Sequence, residues 1–300
     1  DIPVKVAINE AVELAKQYVP LLDEAYKLAS CTSVLDGASD LARQGANANE
    51  LIIPKMSMQG LADYSRNSGY VSGDVTLTNE TVKCNFDRGR SFVIDSMDDL
   101  ETAGIAFGRL SGEFIRTKVA PEVDAFRFAT YAGITGISKI AAGAALSTGD
   151  AVIKAIRTGA TKMDEDEVPA DQRYLFVTPT LYGMIQDLET YKSRAVLENF
   201  AKVITVPQTR FYTAIDQQDG TTSGEEAGGY IKDKTDGKNI NFMIIHKPAV
   251  IQFEKHVAPK IITPEANPDA DAYKFGYRNV GIADVYDNKV AGIYLHYAAS

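Results

Sequence analysis

The chain has 300 residues, 45% of them hydrophobic, which is ample for one or two packed cores. Its 31 basic residues are outnumbered by 40 acidic ones, and a net charge of -9 argues against a nucleic-acid grip by simple attraction. Two cysteines, Cys31 and Cys84, make no disulfide framework and point to a reducing compartment, and no stretch approaches about 18 uncharged apolar residues, so no membrane span is expected.

The first residues mix charges every few positions and lack a signal-peptide core, while a start at Asp1 rather than Met leaves an upstream segment open. Residues 4–30 predict two amphipathic helical pieces, with Val4, Ala7, Ile8, Ala11 and Leu14 on one face, broken at Pro20. Such an arm must dock, either on its own subunit or on a neighbour. Two long extended segments follow, about 49–63 and 74–94, joined by the turn-rich RNSGYVSGD that contains Arg66. Val75 and Leu77 share one parity and Val82, Cys84 and Phe86 the other, which predicts a bulge or a face swap along the second segment. A long, polar, two-stranded ribbon is marginal alone in water and needs a partner surface.

Asp95–Gly133 reads as a long spine helix. Leu100, Ala103, Phe107, Leu110 and Phe114 form a narrow apolar seam, Ser96 can cap the start, and Asp98, Asp99 and Glu101 suit the first turn. Gly133 offers a left-handed stop. Gly104, Gly108 and Gly112 stack on one face and Pro121 removes an interior hydrogen bond, so the spine is expected either to flex there or to admit another backbone closely. After a glycine- and alanine-rich link comes a helix at Asp150–Met163, capped by Ser147 or Thr148, then the acidic DEDEVP, read as a solvated loop. RYLFVTP predicts a buried strand, TLYGMIQDLET a short helix, Ser193–Lys202 another helical stretch and KVITVP a strand, together a small α/β unit. Residues 216–239 form a polar loop or hairpin tip. The strands that follow to the end of the chain are expected beside the spine, giving a discontinuous α+β domain around the α/β insertion.

No catalytic chemistry stands out. His246, His256 and His296 have no metal-ligand spacing, no nucleophile elbow, Walker loop or dinucleotide fingerprint is present, and NPDADAY reads as a turn. No catalytic, cofactor-binding or metal residues are assigned, and no cofactor or enzyme activity is expected. Asp87, Arg88, Gly89 and Arg90 resemble an anion site, but ion pairs to Asp95 or to a neighbouring subunit fit them better. Arg66, Asp87, Arg88, Arg90 and Asp95 are therefore the candidate contacts between subunits.

The run GANANELIIPKMSMQGLADYSRNSGYVSGDVTLTNETV, followed by DRGRSFVIDSMDDLET and EFIRTKVAPEVDAFRFA, resembles major capsid proteins of tailed bacteriophages, with the Hong Kong phage-type fold that encapsulins share. The resemblance implies an arm at 1–44, an extended β-hairpin (E-loop) at 45–94, a peripheral domain with the spine at 95–140 and 245–300, and an axial domain at 141–244. It further implies pentamers and hexamers closing an icosahedral virion shell, assembled in the host cytoplasm, around double-stranded DNA that is enclosed without sequence-specific binding. Portal and scaffolding proteins, and a decoration protein, are the implied partners, with no membrane involved. A spine bent in a rounded precursor and straighter in the mature shell is also implied. One member of the fold welds subunits by a Lys–Asn bond; here Lys55 and Lys83 fall on the ribbon and Asn267, Asn279 and Asn288 on the late strands, and residue types alone do not bring them together. An encapsulin-type compartment is the alternative.

Overall fold

The computed structural model describes residues 20–37, 43–44, 50–95, 109–188 and 191–299. Residues 20–29 are helical and a 3-10 turn at Ser33–Leu35 follows; the helical piece expected before Pro20, with Val4, Ala7, Ile8, Ala11 and Leu14, lies outside the described residues. Strands β1 (Arg43–Gln44), β2 (Glu50–Met58) and β3 (Val75–Lys83) form one antiparallel sheet in that order. Here the structure departs from a single extended segment at 74–94. The chain breaks at Cys84–Asn85, and β4 (Phe86–Asp95) joins a different sheet. Asn85 makes the corner: its Nδ2 donates to Ala283 O at 2.7 Å and its Oδ1 accepts from Ala283 N at 3.1 Å. A backbone group far along the chain thus replaces the ladder that β3 leaves behind.

The spine is helical from residue 109 to Gly133, with a π-helical stretch at Ile115–Val119 between two α-helical parts. Its expected start, with Ser96, Gly104 and Gly108, lies outside the described residues. Gly133 is not the left-handed stop; Ile134 leaves the helix in extended conformation and Gly136, at φ +91°, takes the left-handed turn. Strand β5 (Ser138–Lys139) leads to helix Gly149–Glu165, whose cap is Thr148, accepting from Ala151 N. Strand β6 (Arg173–Val177), helices Pro179–Gln186 and Tyr191–Glu198, and strand β7 (Lys202–Thr205) complete the α/β unit. The acidic run is largely exposed, as expected; Asp164 pairs with Arg173, and Asp166 with Lys162. A hairpin of β8 (Ile215–Gln217) and β9 (Tyr230–Lys232) carries the polar loop, before β10 (Ile240–His246), β11 (Val250–Ile262), β12 (Ala272–Val285) and β13 (Ile293–Tyr297).

β11, β12 and β4 form a three-stranded antiparallel sheet in that order, against which the spine packs. Gly89 of β4 is required there, because an added Cβ would meet Tyr277 O at 2.4 Å. The last strand differs from expectation. β13 does not lie beside the spine sheet but pairs with β10 and β5 in the order β5-β13-β10-β6-β7. The cause is β10, an apolar strand buried on both sides. Phe242 and Ile244 face helix Gly149–Glu165 in one core, while Met243 and Ile245 face Phe128 and Tyr131 of the spine in another. Among the described residues no helix is long and apolar enough to cross a membrane, and both cysteines are free.

His296 of β13 is buried, its ring stacked on Phe242 at 4.9 Å, and its Nδ1 accepts from Asn241 Nδ2 at 3.0 Å. Burial lowers its pKa to about 4. The unfolded chain, with an ordinary imidazole near 6.5, therefore binds the proton first, and this contribution to stability is complete above that value and is lost as pH falls towards 4. In urea titrations of unassembled chain, stability is expected to fall between pH 6.5 and 4 by less in His296→Phe than in the wild type; identical pH slopes would contradict it.

Candidate assembly surfaces

The ribbon of β2 and β3 has two unlike faces. Its ladder runs in continuous register, with Met56 opposite Leu77, Met58 opposite Val75, and Ile53 opposite Glu80, so no bulge explains the parity change. A face swap does. Near the root, Ile53 and Val82 pack on Ile251 and Ile282 of the chain's own sheet. Farther out the apolar residues fall on the opposite face, where Met56, Met58, Val75 and Leu77 are all more than half exposed. The tip adds Leu61 and the ring pair Tyr64–Tyr70, 4.8 Å between centroids, also exposed. Arg66 sits in the exposed turn closed by Ser65 and Gly69. Water is a poor solvent for such a strip, and a contiguous exposed apolar patch marks a surface made to be covered.

The charged cluster of β4 is occupied within its own chain. Asp87 accepts from Arg278 Nε and Nη2 at 2.8 and 2.5 Å, which holds its carboxyl below the usual range. Arg88 pairs with Glu122 of the spine and donates to the carbonyls of Gln218 and Gly229 at 2.6 and 3.1 Å. Arg90 donates to Ala227 O and Glu226 O. Both arginines thus tether the β8–β9 loop rather than bind an anion. Burial raises the pKa of Glu122 against the pull of Arg88. Asp95 ends β4 opposite Ala272, and its side chain lies outside those described. Between β4, the spine and the tethered loop lies an open cavity of about 1110 Å³, lined by Arg88, Phe92, Phe114, Lys118, Pro121 and Tyr230 among others.

A third group of residues, around two buried charges of the spine, is absent from the candidates that the sequence suggests. Asp124, fully buried inside the spine, accepts from Ser30 Oγ at 2.6 Å, Cys31 N at 2.8 Å and Thr32 Oγ1 at 2.6 Å, and pairs with Arg210 at 3.1 Å. One turn on, buried Arg127 bonds to Tyr26 and Thr32 and pairs with Glu254 at 2.8 Å and Asp36 at 3.4 Å. Gln252 of β11 donates to Thr32 O and Asp36 and accepts from Tyr131. Desolvation raises the carboxyl pKa values of Glu254 and Asp36, opposed by Arg127, and pushes the Cys31 thiol up to about 11, so that thiol is not a reactive one. The network fixes residues 20–37 to the spine and, through Arg210, to the α/β unit.

Of the candidate flexible positions, Pro121 sits two residues past the π-helical stretch, and Gly112 has none of the described residues within 4 Å of an added Cβ. Among the described residues Gly112 is therefore not a contact point. Gly104 and Gly108 lie outside the described residues.

No family model matches the chain, and no curated protein matches it. Solved structures do. A virus-like particle from Pyrococcus furiosus is similar over 94% of this chain and 98% of its own, at 9% identity and TM-score 0.57. The capsid structure of the cyanophage P-SCSP1u matches 86% of each chain at 14% identity and TM-score 0.53. That of Staphylococcus phage Andhra matches 89% of this chain and 83% of its own at 10% identity and TM-score 0.54. At these identities the likeness shows the fold, and the fold is the mixed α+β architecture of phage capsid shells.

Two outcomes are expected. Asp124→Ala leaves Arg210 and the arm donors unpaired in a buried site and should cost about 3–5 kcal/mol in unfolding free energy, measured in urea on unassembled chain. Gly112→Ala should add up to about 1 kcal/mol in the same assay, because the methyl meets none of the described residues and the helix gains propensity.

Proposed function

We propose that this chain is the major capsid protein of a tailed bacteriophage, assembling as pentamers and hexamers into the icosahedral shell around double-stranded DNA. The observation that carries the reading is the ribbon: a strip with Met56, Met58, Val75 and Leu77 uncovered, on a fold shared with capsid shells. A strip that its own chain leaves bare suits a protein whose surface is completed by further copies of itself. In this reading the ribbon is the E-loop, the spine with β4, β11 and β12 forms the peripheral domain, and the sheet β5-β13-β10-β6-β7 is the core of the axial domain. The role is structural rather than catalytic. Portal, scaffolding and decoration proteins are the further partners, and assembly takes place in the host cytoplasm. The net charge of -9 suits DNA held in by the wall rather than bound to it. An encapsulin-type compartment is the second reading, favoured by the likeness to the Pyrococcus furiosus particle; DNA-free particles of one small size with protein cargo would select it.

The double variant Met56→Ser, Leu77→Ser tests the ribbon. Both side chains are exposed in the single chain, so its thermal stability should stay within about 0.5 kcal/mol of wild type. Closed particles, abundant for the wild type by electron microscopy and in the void of a sizing column, should be absent. Normal particles from the variant would refute the ribbon's role.

A further inference from the structure

The amide of Ala120 reaches back five residues to Ile115 O, so the spine is wound wider at Ile115–Val119 than on either side. Pro121 explains why α winding is disfavoured there, since its ring would press on the carbonyl of Thr117. Its neighbours explain what holds the wider turn. Ile115 and Val119, one at each end of the stretch, are both buried in one cluster with Leu22 and Tyr26 of the helix over residues 20–29. Beyond the stretch, Ser30, Cys31 and Thr32 close on Asp124, and Tyr26 and Thr32 meet Arg127. Residues 22–32 thus share a core with the π-helical stretch and are hydrogen-bonded to the spine directly beyond it.

We propose that residues 20–37 form a clasp that holds the spine in its π-wound register, so that the spine changes winding only when the clasp opens. Arg210, donating to both Asp124 and Ala29 O, extends the clasp to the α/β unit. A change of winding would turn the part of the spine before Ile115 relative to the part after Val119. Rearrangement of the spine, detachment of the arm and release of Arg210 are then one event. The inference concerns the single chain and stands apart from any shell it builds.

Hydrogen exchange on unassembled full-length chain tests it. Thr32→Val keeps the side-chain shape but removes a donor to Asp124 and an acceptor for Arg127. It should speed exchange of amides 115–120 about tenfold, together with those of residues 20–37, and leave β10 unchanged. Thr148→Ala, which loses a helix cap of similar worth elsewhere, should leave 115–120 unchanged. Should Thr32→Val fold poorly, Ser30→Ala carries the same readout, since Asp124 keeps four other bonds, from Cys31 N, Thr32 N, Thr32 Oγ1 and Arg210. Faster exchange in the arm without faster exchange at 115–120 overturns the proposal, as does an equal acceleration in β10.

Discussion

A single carboxylate inside the spine holds the molecule together. Asp124 cannot stay charged and dry without donors, and the chain brings them from two distant places, the segment after the first helix and the 3-10 turn at Gln208–Arg210. Arg127 repeats the arrangement with the opposite sign, drawing in Glu254 of β11 and Asp36. Neither residue is tolerable without the other elements in place. The spine, the arm, the three-stranded sheet and the α/β unit are therefore held in one mutual geometry by charges that none of them could bury alone.

Around that fixed centre, apolar surface is sorted by distance. The residues close in are consumed by the chain's own cores: Phe128 and Tyr131 against β10, Ile53 and Val82 against Ile251 and Ile282. The residues far out, along the ribbon, change faces and remain bare. A ribbon with a single apolar face would have to choose between anchoring itself and engaging something else. The parity change lets it do both, with a rigid root and an uncovered blade.

Much of this was legible from residue order. The described part of the spine, the ribbon, the α/β unit and the parity change all rest on local patterns, and local patterns survive in a linear string; the seam at Leu100, Ala103 and Phe107 lies outside the described residues. What was illegible depends on distant partners. Asn85 ends β3 because Ala283, 198 residues away, takes both its amide atoms. β13 stays out of the β11-β12-β4 sheet because β10 needs covering on an edge that residue order alone does not reveal. Asp124 and Arg127 did have a signal: VAPEVDAFRFATYA is apolar on every side, so a charge within it must be paired. The wider winding before Pro121 had half of one, since the proline was visible but the arm that packs over Ile115 and Val119 was not.

The two arginines of β4 hold the loop between β8 and β9 by its main-chain carbonyls alone: Gln218, Glu226, Ala227 and Gly229 each offer only an oxygen that any residue would supply. Such a grip is indifferent to side-chain identity at Gln218, Glu226 and Ala227, while Gly229, at φ +80°, holds the left-handed conformation that favours glycine. The loop can thereby change side chains at three of its four anchor points while keeping its place against β4, its glycines setting the limit.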